Sequence, residues 1–126
     1  MDPYISVIIT VYNRTQYVND AINSALNQTL DKDKYEIIVV TNVDVSEREG
    51  VKIVKSNERR LGPKIAEGIE SSNGEVISLL EDDDMFLQNK LETVYNAFKR
   101  YDISLFHNEM YFIDDEGKRV SALERS

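Results

Sequence analysis

The sequence predicts an α/β protein with a Rossmann-like, mostly parallel sheet and helices on both faces. Short apolar runs alternate along the chain with segments whose apolar residues recur at helical spacing. Strands that alternate with helices imply right-handed crossovers and therefore parallel pairing. The apolar runs are continuous rather than alternating, which is typical of a sheet buried on both faces.

The first three predicted elements are a strand, a helix and a strand. Residues 6–11 are a β-rich apolar run, and helical spacing of apolar residues follows over 18–26. Asn13 or Thr15 is the predicted N-cap of this helix, because a short polar side chain there accepts a bond from a free backbone N–H. The second strand is predicted over residues 36–41.

The next helix is predicted from its start signal. A third strand covers residues 51–54, and Gly62-Pro63 then opens a helix with proline at its first position. The apolar stripe of this helix is predicted to consist of Ile65, Ala66 and Ile69.

The fourth strand, residues 76–80, runs into four consecutive carboxylates at 81–84. A third helix is predicted from Leu87 onward, then a strand at 103–106 and a hairpin at 110–120. The whole chain, residues 1–126, is predicted to be a single domain.

The amino-acid composition excludes several classes of partner and site. The net charge of −8 argues against nucleic acid as a partner. The absence of cysteine excludes disulfides, zinc–thiolate sites and cysteine nucleophiles. No apolar run approaches the roughly 18 residues of a membrane span, and the first residues lack the basic segment of a signal peptide.

The carboxyl ends of the predicted strands point to a ligand site. Open parallel sheets bind ligands beyond these ends, and the acidic run follows the fourth strand directly. Adjacent carboxylates repel one another, and a hard divalent cation such as Mg²⁺ or Mn²⁺ with a phosphate ligand would offset that repulsion. From these residues alone, a metal site and a solvated acidic loop are about equally supported.

Other familiar sites are excluded or weak. The segment after the first strand has no glycine, so neither a dinucleotide fingerprint nor a P-loop fits. His107 is the only histidine and is assigned a structural or surface role. A cluster of basic residues could contact a diphosphate, because arginine presents several donors to phosphate oxygens. Most of the cluster is interpreted as a solvated face. Arg60 is its best functional candidate, since it precedes a helix N-terminus, where anions are favoured. The cluster comprises Lys52, Lys55, Arg59, Arg60 and Lys64.

Four segments of the chain form a recognisable series: SVIITVYNR at the first strand, AINSALNQT in the following helix, the strand EIIVV, and GEVISLL followed by EDDD. The first three resemble the beginning of glycosyltransferase family 2, the inverting transferases of GT-A fold. The fourth resembles the strand that leads into the metal-binding DxD-type motif of that family. The resemblance covers nearly the whole chain and keeps the family's order and spacing.

The resemblance implies a role for individual residues. The segment that holds the nucleotide in this family corresponds to Thr10, Val11, Tyr12 and Arg14. A basic position near the base and diphosphate corresponds to Arg60. The acid that contacts the ribose corresponds to Asp82. Asp83 matches the acid that ligates Mn²⁺ or Mg²⁺, with Asp82 as the other candidate metal ligand. Glu81 lies where many members place the first acid of the motif, so a one-residue ambiguity stays open.

Two departures from the family matter. Asn42 stands where many members have a base-reading aspartate, so the preference for the donor base is open. The family's acceptor-binding half, with its catalytic base, normally follows where this chain stops, so the catalytic residue is unknown and the chain is expected to be incomplete for catalysis by itself.

The expected function is transfer of a sugar, with inversion, from a nucleotide-diphospho-sugar to an unidentified acceptor hydroxyl. The alternative is a non-catalytic nucleotide-sugar-binding or assembly module of the same fold. A nucleotidyltransferase is disfavoured, because such an enzyme would require a glycine-rich basic loop after the first strand, and the sequence has none there. A homodimer or a separate C-terminal half is expected to complete the site. The expected location is the cytoplasm. The alternative left open is a location at the membrane surface, to which a missing segment or a partner would attach the protein.

Overall fold

The computed structural model describes residues 2–101 of the chain. Within them, four strands and three α-helices alternate, and a short 3₁₀ turn (Lys32–Lys34) precedes the second strand. The strands are β1 (Ile5–Val11), β2 (Tyr35–Thr41), β3 (Val51–Lys55) and β4 (Val76–Glu81), and the helices are α1 (Val18–Leu26), α2 (Leu61–Glu70) and α3 (Lys90–Arg100).

The four strands form one parallel sheet in the order β3-β2-β1-β4. The α/β class and the parallel sheet predicted from the sequence are therefore confirmed. In the register of this sheet, Val11 lies opposite Thr41 and Thr10 lies opposite Glu81. The carboxyl ends of β1, β2 and β4 thus lie side by side, and the loops that follow them share one edge.

Helices cover both faces of the sheet, as predicted. α1 and α3 pack on the larger core, to which β1 contributes every second residue from Ile5 to Val11. α2 packs on the opposite face, against a smaller cluster of Ile8, Ile38 and Val40. The central strand β1 is buried along its whole length, which explains why its apolar residues are continuous rather than alternating.

The face by which α2 contacts the sheet was predicted wrongly. Its buried residues are Lys64 and Gly68, whereas Ala66 and Ile69 from the predicted apolar stripe are exposed. The reason is close approach: a β-carbon on Gly68 would lie 2.8 Å from Cγ2 of Ile8 and 3.1 Å from Cγ2 of Val40. A helix that comes this near must turn its smallest residue to the sheet.

The predicted helix starts also need correction. α1 begins at Val18 with Tyr17 at the N-cap and no side-chain cap, so neither Asn13 nor Thr15 caps it. α2 begins at Leu61, which makes Pro63 its third residue; proline is tolerated there because first-turn N–H groups have no intrahelical acceptor.

α3 begins at Lys90 rather than at Leu87, whose side chain is exposed. Leu91 and Val94 are the buried residues of this helix, as its predicted spacing requires. The strand and hairpin predicted at 103–106 and 110–120 lie outside the described residues. None of the helices within residues 2–101 is long and apolar enough to span a membrane.

Candidate functional site

A cleft of about 310 Å³ lies at the carboxyl ends of β1 and β4. A wider depression of about 440 Å³ lies instead beside the amino end of β3, between Glu47 and Ile53. The smaller cleft is the functional candidate because ligands of open parallel sheets bind beyond the carboxyl ends of strands. Its lining residues are Thr10, Tyr12, Arg14, Arg59, Leu61, Lys64, Glu81 and Asp82.

Thr10, Val11 and Tyr12, at the end of β1, were predicted to contact a nucleotide, and they differ in which of their groups a ligand could reach. Thr10 and Tyr12 are among the residues that line the cleft. The side chain of Val11 is fully buried in the core. Its backbone carbonyl accepts a hydrogen bond from Nζ of Lys64 at 3.0 Å, so Val11 could meet a ligand only through its backbone.

Two basic residues hold the ring of Tyr12. Nε of Arg59 donates to the Tyr12 hydroxyl at 3.2 Å, and Nζ of Lys64 lies 4.7 Å from the ring centroid. Both residues had been assigned to a solvated basic face, and for Lys64 this was wrong: it is only 3% exposed. The available signal was its helical spacing to Gly68, which places the two residues on one side of α2.

The buried ammonium of Lys64 is electrostatically costly. Desolvation lowers its pKa, while negative charge on its neighbours acts in the opposite direction, with Asp82 and Glu58 among them. An isolated buried charge would normally lose its proton or move to the surface. Here the carbonyl, the aromatic ring and nearby carboxylates compensate for the lost water.

Asn42 lies at the same edge but is engaged with Asn13. Its Oδ1 accepts from the backbone N–H of Asn13 at 2.8 Å, and its Nδ2 donates to the Asn13 side-chain oxygen at 2.6 Å. Asn13 has φ of +63°, in the left-handed region that asparagine tolerates better than most residues. This pair fixes the turn after β1, and Asn42 is not among the residues that line the cleft.

Arg60 lies outside the cleft lining. It is the N-cap residue of α2, its side chain is 78% exposed, and its Nε bonds to Oε1 of Glu58 at 3.2 Å. That contact lowers the pKa of Glu58. Arg59, its neighbour in sequence, is the one that faces the cleft.

Arg14 connects the end of β1 to the acidic run. Its Nε and Nη2 contact the two carboxylate oxygens of Asp82 at 2.9 and 3.2 Å, and Nη2 lies 3.1 Å from Oδ2 of Asp83. Asp82 is 7% exposed, so this arginine is the partner that makes its burial tolerable. The same contacts raise the pKa of Arg14, chiefly through the hydrogen bond to Asp82.

The other three acids of the run form a separate group. Glu81, Asp83 and Asp84 each offer an oxygen, and these oxygens lie within 4.8 Å of one another. Burial, and then the charges of Asp83 and Glu81, raise the pKa of Asp84. The sequence predicted Asp83 and Asp82 as metal ligands; the structure retains Asp83 in the group of three, whereas Asp82 faces Arg14.

The chain belongs to glycosyl transferase family 2, since the model of that family matches residues 6–125. An uncharacterized glycosyltransferase of Rickettsia bellii is 33% identical over 132 residues, which covers 97% of this chain and 19% of that protein. The chain thus spans about a fifth of the length of this relative.

Solved structures show the same fold. Residues 1–349 of TarS from S. aureus, in complex with UDP, superpose with a TM-score of 0.67 at 18% identity, over 77% of this chain and 32% of that TarS chain. A mannosyltransferase from Pyrobaculum calidifontis in complex with GDP-Man and Mn²⁺ superposes with a TM-score of 0.61 at 18% identity, over 79% of this chain and 32% of that one. The GT-A fold that the sequence resemblance implied is confirmed.

Proposed function

We propose that this chain is the donor-binding domain of a glycosyltransferase that uses a nucleotide-diphospho-sugar together with a divalent cation. The observation that carries the proposal is one cleft in which an aromatic ring, Tyr12, and the acidic run after β4 meet at the carboxyl edge of the sheet. Family membership supports it, as do the UDP and GDP-Man complexes of two structural neighbours.

The nucleoside would occupy the β1 side of this cleft. Thr10 and Tyr12 line it with a hydroxyl and an aromatic ring, and Asp82 supplies a carboxylate suited to ribose hydroxyls. Arg60 is kept as a candidate for the diphosphate because it is exposed at the N-terminus of α2, where anions are favoured. Asn42 is proposed to shape the base site indirectly, by fixing Asn13.

The residues at the end of β4 fit a hard cation. Glu81, Asp83 and Asp84 present only oxygen ligands, which Mg²⁺ and Mn²⁺ prefer. Burial raises the pKa of Asp84 most, and the charges of Asp83 and Glu81 raise it further, so a bound counterion would relieve part of this repulsion. When bound, the cation would stabilise the negative charge of the departing nucleoside diphosphate. Asp82 would join this set only by releasing Arg14.

The remaining parts of the reaction are proposed by analogy with the family. Transfer would proceed with inversion at the anomeric carbon, assisted by a carboxylate base that no described residue identifies. We further propose that residues 1–126 are one nucleotide-sugar-binding unit and that the acceptor is held by other parts of the protein or by a partner subunit. The share of its relatives that this chain spans supports that division.

A second candidate function is a non-catalytic nucleotide-sugar-binding or assembly module. The observation that favours it is Asn42, which replaces a base-reading carboxylate and whose amide is already engaged with Asn13. Such a module would bind the same donor and leave its glycosidic bond intact.

Calorimetry of the chain with UDP, GDP and CDP, each with Mn²⁺ and each with chelator, tests the donor site. We expect binding that depends on Mn²⁺ and is largely lost in Asp83→Ala. Asp33→Ala is the matched control, since Asp33 is an exposed acid on the 3₁₀ turn before β2. Equal affinity with Mn²⁺ and with chelator would overturn the metal-dependent site. Release of free sugar from UDP- or GDP-sugars that is lost in Asp83→Ala would then support a transferase over a binding module.

A further inference from the structure

Lys64 is the most unusual side chain of the cleft. Among the described residues, it and Asp82 are the two charged side chains that are buried, and Asp82 has Arg14 as its ion-pair partner. Within residues 2–101, no carboxylate lies within ion-pair distance of Nζ of Lys64, which contacts the carbonyl of Val11 and the ring of Tyr12.

Packing alone does not explain a lysine at this position. α2 touches the sheet through Gly68, and an apolar side chain one turn earlier would fill the same space without desolvating a charge. The ammonium is nevertheless directed at the end of β1, where it contacts two consecutive residues, Val11 and Tyr12. A methionine of similar length would make neither the hydrogen bond to Val11 nor the cation–π contact with Tyr12.

We infer that Lys64 is a positioning residue of the nucleobase subsite, which it organises by fixing the ring of Tyr12; this inference rests on the proposed donor site. Lys64 lies over one face of the ring while Arg59 holds the hydroxyl, so the ring is restrained at two points. The opposite face is then the one on which a base stacks. A ring that is already oriented loses less conformational freedom when its ligand binds.

The inference separates two parts of one ligand. Lys64 acts on the aromatic ring at the end of β1, whereas the acids at the end of β4 would hold the metal that binds the diphosphate. Loss of the ammonium should therefore weaken ligands that carry a base and spare inorganic pyrophosphate. A general loosening of the fold would weaken both kinds of ligand alike.

The test compares Lys64→Met with the unmodified chain by calorimetry, in the presence of Mn²⁺, with UDP, GDP and pyrophosphate. We expect affinity for the nucleoside diphosphates to fall up to about tenfold, the size of the ordering cost of one side chain that is no longer pre-oriented, and pyrophosphate affinity to change less than about twofold. If thermal unfolding shows that Lys64→Met does not fold, Lys64→Gln, which keeps an N–H donor for Val11, replaces it.

A double-mutant cycle with Tyr12→Leu shows whether the effect passes through the ring. In that background, Lys64→Met should cause no further loss for UDP. Three results would each overturn the inference about Lys64 while leaving the donor site in place. They are an equal loss of affinity for UDP and pyrophosphate, no loss of affinity for UDP, and a loss that is just as large in the Tyr12→Leu background. Failure of the unmodified chain to bind any nucleoside diphosphate would overturn the donor site and this inference with it.

Discussion

Arg14 holds Asp82 by a two-point contact, in which its Nε and Nη2 lie 2.9 and 3.2 Å from the two carboxylate oxygens. The same Nη2 reaches Asp83 at 3.1 Å. The guanidinium therefore neutralises the acidic run at the place where a metal-bound diphosphate is proposed to lie. A cation that binds Asp83 competes with this contact.

The first prediction follows from that competition. Arg14→Gln should bind Mn²⁺ several-fold more tightly than the unmodified chain when no nucleotide is present, because the carboxylates lose a competing positive charge. A direct Mn²⁺ titration by calorimetry at low salt measures it. Arg100→Gln, which removes an exposed charge in the last turn of α3, should leave the affinity unchanged. Weaker Mn²⁺ binding by Arg14→Gln would contradict the competition.

The second prediction concerns Asp84 and pH. Its pKa is raised in the folded chain, so above the ordinary carboxyl range the folded state binds more protons than the unfolded state. Asp84 therefore destabilises the folded state least at low pH, and this destabilisation grows as pH rises from the unfolded pKa through the folded pKa.

Asp84→Asn should remove that penalty. At pH 7, without metal, its Tm should exceed that of the unmodified chain, and the difference should shrink as pH falls toward 4. Its Mn²⁺ affinity should fall as well, because a neutral amide replaces a ligand. Thermal unfolding with chelator and with Mn²⁺ at several pH values measures both effects. A variant that is less stable at pH 7 with chelator would refute the account of Asp84.

The third prediction tests the close approach of α2 to the sheet. Gly68→Ala should destabilise the fold by about 1–3 kcal/mol, the usual cost of overpacking a core, because its β-carbon would lie 2.8 Å from Ile8. Gly62→Ala is the matched control in the same helix, where a β-carbon meets no atom within 4 Å. That variant should gain stability from helix propensity. Urea unfolding of both decides the matter, and equal effects would show that contact with Ile8 is not limiting.

The fourth prediction concerns Asn42 and the donor base. With an amide in place of a base-reading carboxylate, the chain should discriminate weakly among UDP, GDP and CDP, by less than about a hundredfold, because one charge-assisted hydrogen bond is absent. Competition binding with Mn²⁺ gives the ratios. A preference for UDP above that limit would refute the prediction.

Asn42 also has a structural role that can be separated from base preference. Asn42→Ala should cost about 1 kcal/mol of stability through its lost hydrogen bonds, since both join it to Asn13. In that background, Asn13→Gly should recover part of the loss, because glycine adopts positive φ without strain. Chemical unfolding of the single and double variants measures this, and no recovery would show that the turn is held by other contacts.

The sequence by itself determined the sheet and the edge at which the site lies. Continuous apolar runs define β1 and β2, and their alternation with helical spacing implies parallel strands whose carboxyl ends adjoin. Because the motif at 81–84 follows a core strand directly, parallel pairing placed it at the carboxyl edge of the sheet, whereas its position beside Thr10 is given by the strand order of the structure. These features depend on periodicity along the chain, which local sequence carries.

Only the tertiary structure decided which side chains meet at that edge. Asn13 and Asn42 are 29 residues apart, Val11 and Lys64 are 53 apart, and Arg14 and Asp82 are 68 apart. Each pairing depends on how closely a helix or loop approaches the sheet, as Gly68 allows α2 to do. A lysine in an amphipathic segment is ordinarily solvated, and a buried one is stable only when its partners lie elsewhere in the chain. Local spacing indicates which face of a helix is apolar, but the packing of the whole domain sets which face is buried.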